Sequence, residues 1–212
     1  MIVPPRPAYG PLLLADIGGY TAFLRAVQVA HADDAFAGGN IPDAYGFISS
    51  LLDGIIGRLV PPFALAKVEG DAVFAYGLDA DALPHGEALL ACITACYASF
   101  RERLAQAHQS WTCTCDACLR IDTLDLKFIL HAGGFVLQDI AGTLELAGPE
   151  VVMAHRLLKN DAAELLGSGA YALITAVAAG RFDVPTTTAT PMTAEYEHYP
   201  PIDTFAFRLR PA

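Results

Sequence analysis

The chain has 212 residues, 54% of them hydrophobic and 17% charged, which is enough core material for one domain of ordinary size and excludes a disordered chain. Thirteen basic against 23 acidic residues give a net charge of −10, which excludes the basic surface a nucleic-acid backbone requires; any anionic ligand must be met locally. No apolar run reaches the roughly 18 residues of a spanning helix, and prolines interrupt the start, MIVPPRPAYG, where a signal peptide is apolar, so a cytoplasmic protein with no membrane partner is expected.

Residues 11–17 form a continuous apolar run that meets Gly18-Gly19, the pattern of a buried strand leaving its sheet at a glycine turn. A helix is predicted over 20–30. A second is predicted over 41–59, where Phe47, Leu51, Leu52, Ile55, Ile56 and Leu59 recur at helical spacing until Pro61-Pro62 stops them. Residues 63–68 and 72–76 are short apolar stretches flanking Glu69-Gly70-Asp71, a β-hairpin signal. Residues 85–108 have the composition of a long helix, and a Cys-rich insert follows at about 109–121. Residues 124–131, 135–140 and 144–147 read as strands joined by glycine turns. Gly148-Pro149 opens a helix reaching about residue 166, because proline suits a first helical position. Residues 171–175 and 204–209 read as closing strands, separated by a Thr- and Pro-rich loop over 184–192.

This order predicts an α+β fold with a ferredoxin-like βααββαβ core: one antiparallel sheet, helices on one face and the Cys-rich insert, in a single domain spanning 1–212. In such a core the third strand lies antiparallel beside the first. The end of the first then meets the start of the third, which makes Asp16 and Asp71 neighbours. Two carboxylates beside a Gly-Gly turn bind hard divalent cations, and paired metals roughly 3.5–4 Å apart serve phosphoryl transfer. The alternative is that Asp16 caps the first helix and Asp71 is an ordinary turn residue.

The string Leu14-Ala15-Asp16-Ile17-Gly18-Gly19-Tyr20-Thr21 together with Lys67-Val68-Glu69-Gly70-Asp71 resembles the two metal-site segments of class III adenylate and guanylate cyclases. His131-Ala132-Gly133-Gly134 and Gly148-Pro149-Glu150-Val151-Val152-Met153-Ala154-His155-Arg156 are similar to the family's His-x-Gly strand end and Gly-Asp-x-Val-Asn-x-Ala-x-Arg helix, so the resemblance spans roughly residues 11–175. Leu126-Lys127-Phe128, His155-Arg156-Leu157-Leu158-Lys159-Asn160 and the Cys-x-Cys-x-x-Cys insert look closer still to an uncharacterised bacterial cyclase-like family, DUF2652-like, whose name carries no activity.

The resemblance implies that Asp16, Ile17 and Asp71 hold two Mg²⁺ or Mn²⁺ ions, and that Gly18, Gly19, Tyr20 and Thr21 lie against the substrate, a nucleoside triphosphate. It implies that Lys67 and Glu145 read the base, a donor and an acceptor compatible with adenine, and that Arg156 meets the transferred phosphate; Lys159, three residues on, is expected on the same helical face as a second phosphate-facing cation. It also implies a head-to-tail homodimer, because in that family the two half-sites come from different subunits. Two positions depart from the pattern: Val152 stands where the family's ribose-positioning Asn would be, and Pro149 follows Gly148 in place of Asp. A slow cyclase, one of altered substrate choice, or a nucleotide-binding domain without turnover all fit these departures.

Cys113, Cys115 and Cys118 supply three soft ligands within six residues, and a structural Zn²⁺ takes four; Cys96 is the first choice for the fourth, with Cys92 and His108 as alternatives. A thiol cluster without metal, a disulfide, or a Zn-stabilised interaction module in which the acidic pair is only structural remain open readings. His131 and His155 read as packed, hydrogen-bonded histidines, and His31, His85 and His198 carry no signal.

Overall fold

Strand β1 (Arg6–Gly18) buries both of its faces, which is why it reads as an unbroken apolar run: Leu13, Ala15 and Ile17 enter one core, and Leu12 and Leu14 the other. The computed structural model describes residues 4–210 other than 80 and 112, with the backbone alone for 34, 36 and 108–110. The other strands are β2 (Ala64–Glu69), β3 (Ala72–Tyr76), β4 (Asp125–Ile140), β5 (Thr143–Ala147), β6 (Tyr171–Thr175), β7 (Thr190–Ala194) and β8 (Ile202–Arg208). They form one sheet in the order β2-β3-β1-β4-β6-β8-β7, with β5 against the outer half of β4; only the β4–β6 pairing is parallel among the described residues.

Helices α1 (Tyr20–Ala30), α2 (Asp43–Leu59) and α3 (Gly86–Ser110) cover one face, burying Phe23, Leu51, Ile55, Ile93 and Phe100 against Leu13, Phe128 and Leu130. The insert contributes α4 (Asp116–Leu119) and a 3₁₀ turn (Arg120–Thr123) to the same core through Ala117, Cys118 and Ile121. To the helical layer expected from the sequence the structure adds a second, smaller one. Short helices α5 (Pro149–Arg156) and α6 (Ala162–Leu166) pack on the opposite face through Val151, Met153, Ala154 and Ala162.

Three local expectations differ from what the chain does. Gly133-Gly134 is not a turn, because β4 runs straight through it, pairing Gly133 with Gly10 of β1. The missing side chain is a space, since a Cβ on Gly133 would lie 2.4 Å from Glu150 Cγ. The helix predicted from 148 to about 166 is broken by Asn160, whose amide donates to the Leu157 carbonyl at 2.7 Å while its Oδ1 accepts from Ala162 N at 2.8 Å. The closing segment holds a further helix, α7 (Ala176–Arg181), whose first turn Thr175 caps through Ala178 N. It also holds β7, which tolerates Pro191 because it is an edge strand.

At Gly10 a Cβ would fall 2.1 Å from the Gly77 carbonyl oxygen, a backbone atom that cannot swing away. Gly10→Ala is expected to lower unfolding free energy by about 2–3 kcal/mol, read as a shifted urea midpoint at constant m-value.

Candidate functional site

The end of β1 and the start of β3 are paired antiparallel, with Asp16 opposite Ala72, and Ile17 N donates to the Asp71 carbonyl at 3.1 Å. The Asp16 and Asp71 carboxylates therefore share one corner of the sheet, beside the turn that leads into α1. Burial, and then the charge of Asp16, push the Asp71 carboxyl above its ordinary range. Lys127, on β4, lies 3.0 Å from Asp16 Oδ2, so two carboxylates face one ammonium and the corner retains excess negative charge. Those oxygens suit a hard cation such as Mg²⁺ or Mn²⁺.

Asp16 does not cap α1. The N-cap is Gly19, held at φ 84°, which has no side chain with which to bond the first-turn amides. Gly19 and Tyr20 thus open a helix N-terminus directly after the end of β1 that carries Asp16, and the first-turn amides of such a terminus lack intrahelical partners and suit phosphate oxygens. Burial, and then the charge of Asp71, raise the Tyr20 phenol above its ordinary value.

Lys67 and Glu145, separated by 78 positions, meet at 3.2 Å between Nζ and Oε2, and Lys67 also contacts Glu69 at 3.0 Å. The hydrogen bond from Lys67 to Glu69 holds the ammonium above its ordinary value, with that to Glu145 adding to it against burial. Burial alone would raise the Glu69 carboxyl, but hydrogen bonds from Lys67 and His155 outweigh it and lower the value. His155 donates from Nδ1 to the Val151 carbonyl at 2.8 Å and places Nε2 2.8 Å from Glu69 Oε2, with Phe74 edge-on to its ring. His131 is buried: Nε2 is 2.6 Å from Glu150 Oε2, across the space left by Gly133, and Nδ1 is 3.1 Å from Thr175 Oγ1. Both histidines hold α5 to the sheet.

Arg156 and Lys159 line a groove of about 620 Å³ with Val151, Val152, His155 and Tyr196. They do not share a helical face, because α5 ends at Arg156 and Lys159 follows in a turn. Arg156 Nη1 donates to the Glu197 carbonyl at 2.8 Å and its guanidinium stacks on Tyr199. The Lys159 carbonyl accepts from the Tyr196 hydroxyl at 2.8 Å. Val152 is 47% exposed and presents an apolar surface to the groove. Among the described residues, no hydrogen bond or ion pair joins this groove to the Asp16–Asp71 corner of the same chain.

The cysteine segment gathers a donor set that differs from the expected one. The Nε2 of His31 and the Sγ atoms of Cys113, Cys115 and Cys118 all lie within 4.8 Å of one another. Cys96 is not among them: it is 1% exposed in the core under α3, where burial pushes its thiol up to about 12. The His108 side chain lies outside the described residues. His31 ends α1 and is separated from the insert by 82 to 87 positions, so only the packing of α1 against α4 reveals it.

Residues 48–165 match the family described as "Protein of unknown function (DUF2652)". The chain is 32% identical over 154 residues to the uncharacterized protein Rv2561/Rv2562 of Mycobacterium tuberculosis, covering 71% of this chain and 68% of that one. Among solved structures it is similar to the adenylyl cyclase CyaB from P. aeruginosa (TM-score 0.62, 13% identity, 97% and 96% of the two chains). It is also similar to the guanylyl cyclase Cya2 (TM-score 0.60, 13% identity, 98% and 94%). A third match is the catalytic core of a rhodopsin-guanylyl cyclase of converted specificity in complex with ATPαS (TM-score 0.62, 14% identity, 98% and 99%). The chain therefore belongs to the DUF2652 family of proteins of unknown function, and its fold is that of the class III adenylyl and guanylyl cyclase domains.

Proposed function

We propose that the protein is a metal-dependent nucleotidyl cyclase-like domain that converts a nucleoside triphosphate, ATP in the first instance, to its 3′,5′-cyclic nucleotide and pyrophosphate, in sites shared between two copies of the chain. The observation that carries this reading is the convergence of Asp16 and Asp71 beside an uncapped helix N-terminus. Their carboxylates would hold Mg²⁺ or Mn²⁺, which when bound activates the ribose 3′-hydroxyl and neutralises the triphosphate. Gly18 to Thr21 offer backbone N–H groups to the phosphates. Lys67 donates and Glu145 accepts toward the purine edge, their contact holding the pair in place. The 3′-oxygen then attacks the α-phosphorus in line, the bond to pyrophosphate breaks, and the 3′-proton passes to solvent.

Arg156 and Lys159 line a groove that no hydrogen bond or ion pair among the described residues joins to the metal corner of their own chain, which supports their serving the partner's nucleotide in a head-to-tail homodimer. Of the five donors of Arg156, the bond to Glu197 occupies one, leaving the rest for phosphate oxygens.

A second reading is favoured by Val152: a domain that binds metal and nucleotide without turnover, since an isopropyl group offers no hydrogen bond to the sugar. The two separate when pure protein is incubated with each of the four triphosphates and Mn²⁺. Cyclic product establishes the first reading; binding without product establishes the second. Val152→Asn is expected to raise the rate by about 10-fold to 10²-fold, the value of one well-placed positioning group, and an unchanged rate would contradict the ribose-facing placement.

A further inference from the structure

The Cys-rich insert is the largest feature that the cyclase reading leaves unused. It consists of two four-residue turns, α4 and the 3₁₀ segment, each far too short to persist alone. Something else must hold them in one geometry. The packing of Ala117, Cys118 and Ile121 into the main core accounts for one side of the insert; the other side faces His31.

His31 Nε2 lies 3.2 Å from Cys115 Sγ, 3.5 Å from Cys113 Sγ and 3.6 Å from Cys118 Sγ. A single ring nitrogen carries one hydrogen or one lone pair, so hydrogen bonding accounts for one of these contacts and not for three. A tetrahedral ion accounts for all of them. With zinc–sulfur bonds of about 2.3 Å and a zinc–nitrogen bond of about 2.0 Å, the nitrogen and each sulfur of a tetrahedron stand about 3.5 Å apart. The donor set is also selective: three soft thiolates and one imidazole favour Zn²⁺ and give no oxygen to Mg²⁺ or Ca²⁺. The Cys118 amide donates to Cys115 Sγ at 3.4 Å, the kind of outer contact that orients a ligating thiolate.

We propose that His31, Cys113, Cys115 and Cys118 form a closed, structural Zn²⁺ site that fastens the insert to the end of α1. Four protein ligands leave no open position for water, so the ion performs no hydrolysis. A cavity of about 200 Å³ bordered by Asn40, Ile41, Pro42, Cys113 and Cys118 opens beside His31 and gives the ion a way in. The position of the site has a consequence at the other end of the same helix. The Thr123 carbonyl and Leu124 lie against Gly19, with 3.5 and 3.6 Å to a Cβ built there. The insert thus touches α1 at both ends, and an ion that fixes the insert also fixes the turn holding Gly18 to Thr21.

The test uses the full chain, purified reduced and without chelator, with bound metal measured by elemental analysis and the site probed by Co²⁺ substitution. About one zinc per chain is expected, with the visible absorption of tetrahedral cobalt and a thiolate charge-transfer band after exchange. Cys118→Ser and His31→Ala should each lower bound zinc by about 10-fold or more, whereas Cys96→Ser and the ligand-preserving His31→Cys should retain it. The single tryptophan, Trp111, two residues before Cys113 and packed at a tilt against Phe47, should change its emission when the wild-type ion is chelated. A folded wild-type chain with neither zinc nor cobalt bands would overturn the proposal, as would loss of zinc in Cys96→Ser with retention in His31→Ala. The readouts need no catalysis, so they stand apart from the fate of the cyclase reading.

Discussion

Asp71→Asn is expected to reduce cyclic-nucleotide formation by about 10² or more while leaving the metal-free fold at least as stable as the wild type. The two halves of this result have one cause. Asp71 is partly buried and faces Asp16, and both circumstances raise its carboxyl pKa in the folded state. A group whose folded value is raised contributes stability while protonated and loses that contribution as the pH rises through the folded value. At neutral pH the ionised side chain therefore weighs against the fold, and an amide of the same shape removes the repulsion. A structural aspartate would behave in the opposite way, losing stability on substitution. Thermal unfolding checks this directly: Mn²⁺ should raise the midpoint of the wild type and leave Asp71→Asn unmoved, because only the native wild-type corner binds the ion. A variant that unfolds several degrees earlier and still responds to Mn²⁺ would make Asp71 a turn residue.

The second large effect concerns the partition of the site between subunits. Asp71→Ala and Arg156→Ala are each expected to be inactive as homodimers, and activity should return when the two are mixed and allowed to exchange. In a mixed dimer one site combines the intact metal corner of one chain with the intact Arg156 of the other, and the second site carries both lesions. Random exchange makes half the dimers mixed, so about one quarter of wild-type activity is expected at a 1:1 ratio. Behind this stands the absence, among the described residues, of any hydrogen bond or ion pair between the two clusters within one chain. Arg156 is held by the Glu197 carbonyl and the Tyr199 ring, whereas Asp16 is neutralised by Lys127. No recovery from mixtures that light scattering shows to be dimeric and exchanging would contradict the shared site.

What the sequence made legible follows from local chemistry and short-range pattern. The apolar run before Gly18-Gly19 and the hairpin signal around Gly70 predict β1 and β3, and their pairing brings Asp16 to Asp71. The resemblance pairs Lys67 with Glu145, and they meet because β5 folds back on β4 close to β2. Where the reading failed, the deciding interaction was distant in sequence. Gly133-Gly134 looked like a turn because glycine is usually read as punctuation, yet here its absent side chain makes room for Glu150 on another element. His31 carried no signal because its partners lie across the fold, and Cys96 drew attention on proximity although it points into an apolar core. Asn160 breaks the helix through the bonds of its amide to Leu157 and its oxygen to Ala162, which helical composition does not announce.

Whether the Asp16–Asp71 corner binds a metal-bound nucleotide is read from equilibrium binding of Mn²⁺ and ATP to the wild type and to Asp16→Ala/Asp71→Ala. Saturable, Mn²⁺-dependent binding to the wild type is expected, with affinity for both ligands reduced by about 10-fold or more in the double variant. Equal affinity in the two proteins, each shown to be folded, would contradict it.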